Sequence, residues 1–220
     1  MGETNAEGVT AIAHADAPAP TIVVTAHMWI TWAELAIEHE RKAKAARQAM
    51  LGLHAKGENF APEMGRETAE GLLAVCSAAF AMDALVNVWM QLVIDQATLA
   101  KWMAPNGKKG KTGQVEQVLR RSCGDSKKAI NLNDRWKVVF AQRGGAVHFF
   151  EKPGPTMPHP SGITNAAEVH VTYGQENATA AVDLLIETLS EVVSTSKPDL
   201  ASWVAEMTET VAALHIKRTN

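Results

Sequence analysis

Arg143 and His148 are the two residues of this sequence whose types and spacing best suit phosphate chemistry, and they form the pattern Arg-x4-His. Histidine titrates near neutrality, so His148 can take or give a proton at physiological pH. The guanidinium of Arg143 presents a fork of donors that can hold two phosphate oxygens. Cleavage of RNA requires a base for the 2′-hydroxyl and a cation for the charge that develops on phosphorus. The two residue types would therefore suit metal-independent cleavage of RNA, with Arg143 holding the phosphate and His148 transferring protons.

A second copy of the chain is the simplest way to complete such a site. Residues five apart on a helix differ by about 140° of rotation, so one Arg143–His148 pair does not converge on a single face. A two-fold interface brings in a second pair, and symmetric dimers are the commonest soluble oligomers. Gly144 and Gly145 permit close approach of a phosphate or a partner helix. The sequence thus predicts a homodimer with these residues near its axis.

The charges of the chain are strongly polarised. Residues 101–143 contain eleven cations and three acids, which gives +8, whereas the rest of the chain carries −11. A basic block of this kind predicts a polyanionic partner such as RNA, held through its backbone charge rather than its sequence. The alternative is a solvated face rich in lysine. The predicted RNA-binding residues are Lys108, Lys109, Lys111, Arg120 and Arg121.

Other kinds of site find little support in the sequence. The segment 105–112 ends in Gly110-Lys111-Thr112 but has Pro105 where a phosphate-binding loop needs its first glycine. The eight histidines and two cysteines show neither HExxH nor CxxC, so no metal and no cofactor are predicted. A disulfide framework is likewise not indicated by Cys76 and Cys123.

The elements that would position these residues are mainly helical. A capping box at 31–34 predicts a helix from about Trp32 to Ala55, and Gly57 ends it. Pro62 suits the first turn of a second, apolar helix that reaches about Asp95. Further helices are predicted at 112–123, 177–195 and 198–216. Residues 131–151 fit either a β-hairpin around Gly144-Gly145, which propensity slightly favours, or a helix. Residues 168–173 alternate like a strand that could pair with 21–25.

Composition fits an all-α bundle of about five to six helices with a possible small two-stranded ribbon. The apolar fraction is 46% and the charged fraction 20%, which is ordinary for a globular domain. The predicted organisation is a flexible tail over 1–20, a single domain over 21–216 and a short tail over 217–220. No 18-residue stretch is uniformly apolar and no leader pattern opens the chain, so a cytoplasmic location away from membranes is expected.

Three features together resemble the HEPN family, small helical bundles associated with RNA cleavage and nucleotide binding. They are the apolar segment 78–87, the run from Arg143 to His148 before a proline-rich loop, and the amphipathic segment 181–193. The resemblance implies that the Arg-x4-His motif lies at a helix end, which favours the helix over the hairpin. Gly144 stands where the family usually has a polar residue, often asparagine.

The resemblance implies a metal-independent endoribonuclease or an RNA-binding protein that acts as a dimer, with Arg143 and His148 as its catalytic residues. Asp83 and Asn87, one helical turn apart, would orient Arg143 from the core helix. Some relatives with altered motifs are thought to be non-catalytic, so the alternative is a dimerising module that binds a protein partner, such as an antitoxin, or a nucleotide. A helical bundle of purely structural role is a third interpretation, in which Arg143 pairs with an acid such as Asp83 and His148 caps a core contact.

Overall fold

The computed structural model describes residues 28–103, 110–124, 126–147, 155–195 and 201–219. These residues form an all-α bundle with one small antiparallel ribbon, as the sequence predicts. The helices are α1 (Met28–Ala55), α2 (Ala61–Val93), α3 (Gln96–Met103), α4 (Lys111–Cys123), α5 (Lys127–Val147), α6 (Glu168–Thr172), α7 (Gln175–Thr195) and α8 (Ala201–Thr219). The strands are β1 (Thr156–Pro158) and β2 (Asn165–Ala167), which pair antiparallel.

Helix α2 lies at the centre of the bundle and packs against α1, α4, α5 and α7. Its alanines are fully buried from Ala74 to Ala81, so neighbouring helices can approach its backbone closely. The tightest approach is at Gly71, where an added Cβ would lie 1.9 Å from the carbonyl oxygen of Tyr173. Trp89 and Trp136 are the largest of the fully buried side chains. Small residues on α2 therefore set how close the surrounding helices come.

Several predicted helix boundaries agree with the structure within a few residues. Gly57 follows α1 and Gly124 follows α4, and both have the positive φ that glycine adopts without strain. Pro62 lies in the first turn of α2. Helix α1 begins at Met28, one turn before the predicted capping box, so Thr31 and Glu34 lie inside it. Helix α8 continues to Thr219, and Arg218 bonds Glu40 and Asp183, so the predicted C-terminal tail is largely helix.

Residues 127–147 form one continuous helix, and the slight preference for a hairpin was wrong. The 3.6-residue spacing of Trp136, Val139 and Phe140 puts these side chains in the core, where burial outweighs the cost of two interior glycines. The glycines cost roughly 2 kcal/mol relative to alanine. Tertiary packing therefore decides the structure of this segment over local propensity.

The ribbon lies elsewhere than predicted. Its strands are β1 and β2 in the proline-rich stretch, and the predicted strand 168–173 is mostly the short helix α6. Residues 21–25, the proposed pairing partner, lie outside the described residues. Val169 and Val171 are half-buried on a single helical turn that closes on Tyr173. Alternation over so few residues does not distinguish a strand from one helical turn.

Helix α2 is also long and apolar enough to cross a membrane by length and composition alone. More than half of its most apolar window is buried against the other helices. The core helix of a bundle meets the same criterion, so this property is weak evidence for a membrane span.

Candidate functional site

Arg143 lies in the last turns of α5 and reaches across to α2. Its Nη1 donates a hydrogen bond to Oδ2 of Asp83, and the two side chains form an ion pair. Both are partly exposed, with 25% of the Arg143 side chain open to solvent. The contact to Asp83 engages Nη1, and within the described part of the chain the other guanidinium donors have no hydrogen-bonded acceptor. Asp83 thus holds the guanidinium through Nη1, and its other N–H donors are left for a ligand.

A second cation and an amide complete this group. Lys111, at the start of α4, has its Nζ 3.6 Å from Oδ1 of Asp83 and donates a hydrogen bond of 3.1 Å to Oδ1 of Asn87. Oδ1 of Asp83 is buried and accepts no hydrogen bond from the described residues. Arg143, Asp83, Lys111 and Asn87 are called the Arg143 cluster below. It holds two positive charges against one negative charge.

Aromatic rings fix the Arg143 guanidinium from two sides. Its central carbon lies 5.6 Å from the ring centroid of Phe80 and 5.3 Å from that of Phe140. Trp32 packs against Phe80 with 5.0 Å between centroids. Such cation–π contacts favour the charged group and restrict its rotation. The remaining donors of Arg143 are therefore held in one orientation at the surface of the bundle.

Cys76 and Tyr173 border the Arg143 cluster. Burial raises the pKa of the Cys76 thiol, and the positive charge of Arg143 opposes that rise. Burial likewise raises the pKa of Tyr173, whose hydroxyl donates a 2.7 Å hydrogen bond to the carbonyl oxygen of Gln142. Both side chains are therefore neutral at physiological pH, and Tyr173 holds the C-terminal end of α5 against the bundle.

The structure brings together Arg143, Asp83, Asn87 and Lys111, which the sequence proposed as site residues. His148 lies outside the described residues, directly after the last residue of α5, and so do Lys108, Lys109, Phe149 and Phe150. Arg120 and Arg121 lie in the last turn of α4 rather than in the Arg143 cluster.

The basic block is largely neutralised by acids from other parts of the chain. Lys128 and Arg135 pair with Glu191 and Glu187 of α7, and Arg121 lies 3.8 Å from Asp95. Further cations pair within their own helices, as Arg120 does with Glu116 and Lys137 with Asp134. The count of +8 already includes Glu116 and Asp134, whereas Asp95, Glu187 and Glu191 lie outside residues 101–143. The positive field is therefore weaker than +8 suggests, and in the Arg143 cluster the described cations outnumber their carboxylate.

The two glycines after Arg143 are not required by packing among the described residues. An added Cβ at Gly144 meets nothing within 4 Å, and one at Gly145 lies 3.4 Å from the hydroxyl of Tyr173, an ordinary contact. Neither glycine has a positive φ. Among the described residues, a methyl group could therefore be added at Gly144 without a clash.

A second arginine cluster was missed by sequence reasoning. Arg47 is only 4% exposed and makes paired hydrogen bonds of 2.6 to 2.8 Å with Glu67 and with Glu176. Glu67 also accepts a hydrogen bond of 2.8 Å from the backbone of Gln175. The partners are 20 and 129 residues away in sequence, so no local pattern connects them. Charged residues among the apolar positions of α1 and α2 were the available signal.

His159 lies close to this second cluster and is 2% exposed. Its Nδ1 is 2.8 Å from the hydroxyl of Ser161, and its Nε2 is buried without a hydrogen-bond partner among the described residues. Burial, and then the charge of Arg47, lower the pKa of His159. The imidazole is therefore neutral at physiological pH. Together, Arg47, Glu67, Glu176 and His159 are called the Arg47 cluster.

The described residues contain no group of three or more His, Cys, Asp or Glu side chains arranged to hold a metal ion. No family model, no curated protein and no solved structure matches the chain.

Proposed function

We propose that this chain is a HEPN-like, metal-independent endoribonuclease that binds single-stranded RNA and acts as a homodimer. The observation that carries the proposal is the Arg143 cluster, in which a partly exposed guanidinium is fixed by Asp83 and backed by two aromatic rings. The orientation of Arg143 is set before a ligand arrives, which lowers the entropic cost of binding. Two cations around one carboxylate leave a net positive charge for a phosphate.

Each residue of the cluster has a separate task in this proposal. The open donors of Arg143 bind the scissile phosphate, and Lys111 supplies a second positive charge beside it. Asp83 and Asn87 are positioning residues, which hold Arg143 and Lys111 respectively. A bound phosphate adds negative charge where the cluster has a surplus of positive charge.

His148 transfers protons in the proposed reaction. It follows α5 directly, five residues after Arg143. One His148 removes the proton of the 2′-hydroxyl, whose oxygen then attacks phosphorus. The His148 of a second copy protonates the 5′-oxygen as the bond from phosphorus to that oxygen breaks. The products are a 2′,3′-cyclic phosphate and a 5′-hydroxyl, and no metal is consumed or required.

Cleavage of labelled single-stranded RNA in EDTA tests the proposal. The wild-type chain should cleave, whereas Arg143→Gln and His148→Ala should not, with thermal midpoints that stay within a few degrees. Arg135→Gln is the matched control, because Arg135 is also a partly exposed α5 arginine paired with one acid, Glu187. Cleavage that depends on a divalent metal, or equal loss in the Arg135 variant, would contradict the proposal.

A non-catalytic module that binds a protein partner or a nucleotide is the second candidate function. It is favoured by Gly144, which replaces the polar residue usual after the arginine in the family that the chain resembles, and where an added Cβ would meet nothing within 4 Å among the described residues. This candidate predicts a stable dimer in light scattering with no RNA cleavage at any protein concentration. A dimer that cleaves RNA in EDTA would exclude it.

A further inference from the structure

The ribbon formed by β1 and β2 is attached to the bundle through few buried side chains. All three residues of β1 are exposed, including Met157, which is 37% exposed. His159 directly follows β1 and is only 2% exposed, and Ala166 of β2 is 4% exposed. Of these two buried residues, His159 has by far the larger side chain. Its imidazole is therefore the principal buried group of the ribbon.

The turn that joins the two strands is built around His159. Its backbone N–H donates a 3.0 Å hydrogen bond to the carbonyl oxygen of Thr164, and its own carbonyl oxygen accepts one of 2.9 Å from Gly162. Gly162 has a φ of +76°, which glycine adopts without strain. Because both backbone groups of His159 are bound within the turn, its side chain cannot leave the bundle unless the turn moves with it.

The hydrogen bonds of the imidazole fit its neutral form. Nδ1 of His159 accepts a 3.3 Å hydrogen bond from the backbone N–H of Ser161 and lies 2.8 Å from the hydroxyl of the same residue. That hydroxyl oxygen accepts from the N–H of Ile163, so its own proton can bond Nδ1. Nδ1 is therefore an acceptor, which assigns the single proton of the neutral ring to Nε2. A second proton, on Nδ1, would leave the N–H of Ser161 without this acceptor.

The groups around His159 also disfavour a protonated ring. Burial, followed by the charge of Arg47 on α1, lowers the pKa of His159 from its ordinary 6.5, and His170 of α6 acts in the same direction. Glu67 of α2 and Glu176 of α7 act in the opposite direction, but both already accept hydrogen bonds from Arg47. An imidazole that has left the bundle is free of these constraints. Acid therefore favours the form in which the ring is exposed.

We propose that His159 is a pH-sensitive contact, which keeps the ribbon 155–167 on the bundle when the ring is neutral and releases the ribbon when the ring is protonated. The contact is fully formed above pH 6.5, and below this pH the ratio of released to attached ribbon rises by up to about tenfold per pH unit. Release exposes Arg47 and its two carboxylates while the helices stay folded. The inference does not depend on the proposed nuclease function, which uses no residue of the ribbon.

Hydrogen exchange of the full-length protein between pH 7.5 and pH 5 tests the inference. Division of the intrinsic exchange rate at each pH by the observed rate gives a protection factor for every amide. The N–H groups of Gly162 and Glu168 report on the ribbon, since they donate to the carbonyl oxygens of His159 and Pro155. A two-stranded hairpin alone is at best marginally stable, so these bonds break when the ribbon leaves. Their protection should fall by up to about tenfold per pH unit below 6.5 and stay below that of Ala78 in α2.

Three variants separate His159 from other titrating groups. His159→Gln stays neutral, so the protection of its ribbon should not change over this pH range. His170→Gln is the matched control, since His170 is a half-buried histidine whose Nδ1 lies 2.6 Å from the hydroxyl of Thr68, and it should keep the pH dependence of the wild type. Ser161→Ala keeps the histidine but removes a donor to Nδ1, so its ribbon should be less protected already at pH 7.5.

Four outcomes would overturn the inference. The first is a ribbon protection in the wild type that does not change with pH. The second is a ribbon protection equal to that of Ala78 at every pH, because the ribbon would then open only when the whole protein unfolds. The third is a pH dependence that persists in His159→Gln or disappears in His170→Gln. The fourth is an unchanged protection at pH 7.5 in Ser161→Ala.

Discussion

Arg47 and Arg143 are both arginines held by carboxylates on α2, yet their environments are opposite. Arg47 is buried, and its guanidinium is shared between Glu67 and Glu176 through four hydrogen bonds. Arg143 is a quarter exposed, and within the described part of the chain its guanidinium donates one hydrogen bond, to Asp83. The N–H donors of Arg47 are bound by the protein itself, whereas most of the donors of Arg143 are left for another molecule.

The difference separates a structural arginine from one suited to binding. Burial alone would lower the pKa of Arg47, but the hydrogen bonds that Arg47 donates to Glu67 and to Glu176 outweigh burial and raise this pKa. The charge of Arg47 is therefore permanent and fully engaged in joining α1, α2 and α7. The burial of Arg47 and its four hydrogen bonds exclude a phosphate, whereas partial use of the donors of Arg143 permits one.

Breaking the Arg47 cluster should have the largest effect on stability. Arg47→Met leaves Glu67 as an uncompensated buried charge, which should reduce the free energy of unfolding by about 3–5 kcal/mol. Arg143→Gln should cost about 1 kcal/mol or less, because Asp83 is partly exposed and keeps Lys111 nearby. Urea unfolding of both variants measures this contrast. Similar losses in the two variants would show that Arg143 is a structural arginine as well.

Substitution of Gly71 in α2 should destabilise the protein, whereas substitution of Gly144 in α5 should not. Gly71→Ala places a Cβ against the backbone of Tyr173, so we expect destabilisation by about 1–3 kcal/mol or more. Gly144→Ala enters open space within an α-helix and should stabilise the protein by about 0.5–1 kcal/mol. Thermal unfolding gives both values. A loss of stability in Gly144→Ala together with a shift from dimer to monomer in light scattering would indicate that a partner chain packs there.

Acid should destabilise the Arg47 cluster. Because the pKa of His159 is lowered from its ordinary 6.5, the unfolded chain binds a proton more readily than the folded chain as pH falls below about 6.5. Burial alone would raise the pKa of Glu176, but hydrogen bonds from Arg47 lower it below 4.5, so a further loss follows at lower pH. Thermal midpoints should therefore fall between pH 7 and pH 5, and less so in His159→Gln. An equal fall in that variant would assign the loss to other groups.

Substitution of Lys108, Lys109 and Lys111 should give the smallest effect. Replacing Lys108, Lys109 and Lys111 with glutamine should flatten the salt dependence of RNA binding by about 0.7 in the log–log slope per lost phosphate contact. Stability should change little. An unchanged slope would exclude Lys108, Lys109 and Lys111 from the RNA contacts.

The sequence predicted the helices well because their apolar stripes and end signals are local. Gly57, Pro62 and Gly124 mark boundaries within a residue or two of those observed. The link between Arg143 and Asp83 was accessible because few acids lie on the apolar helix α2. Ion pairs between distant segments could not be predicted from the sequence. Neither the Arg47 cluster nor the pairing of Lys128 and Arg135 with α7 leaves a pattern along the chain.

Binding of a non-cleavable RNA tests most directly whether Arg143 is a phosphate-binding residue and not a structural one. The affinity of a 2′-O-methyl oligonucleotide would be measured for the wild type, Arg143→Gln and Arg135→Gln at one fixed salt concentration. Loss of a hydrogen bond to a charged phosphate should lower the affinity of Arg143→Gln about 10- to 150-fold, with Arg135→Gln close to the wild type. Equal affinities for the wild type and Arg143→Gln would contradict the account.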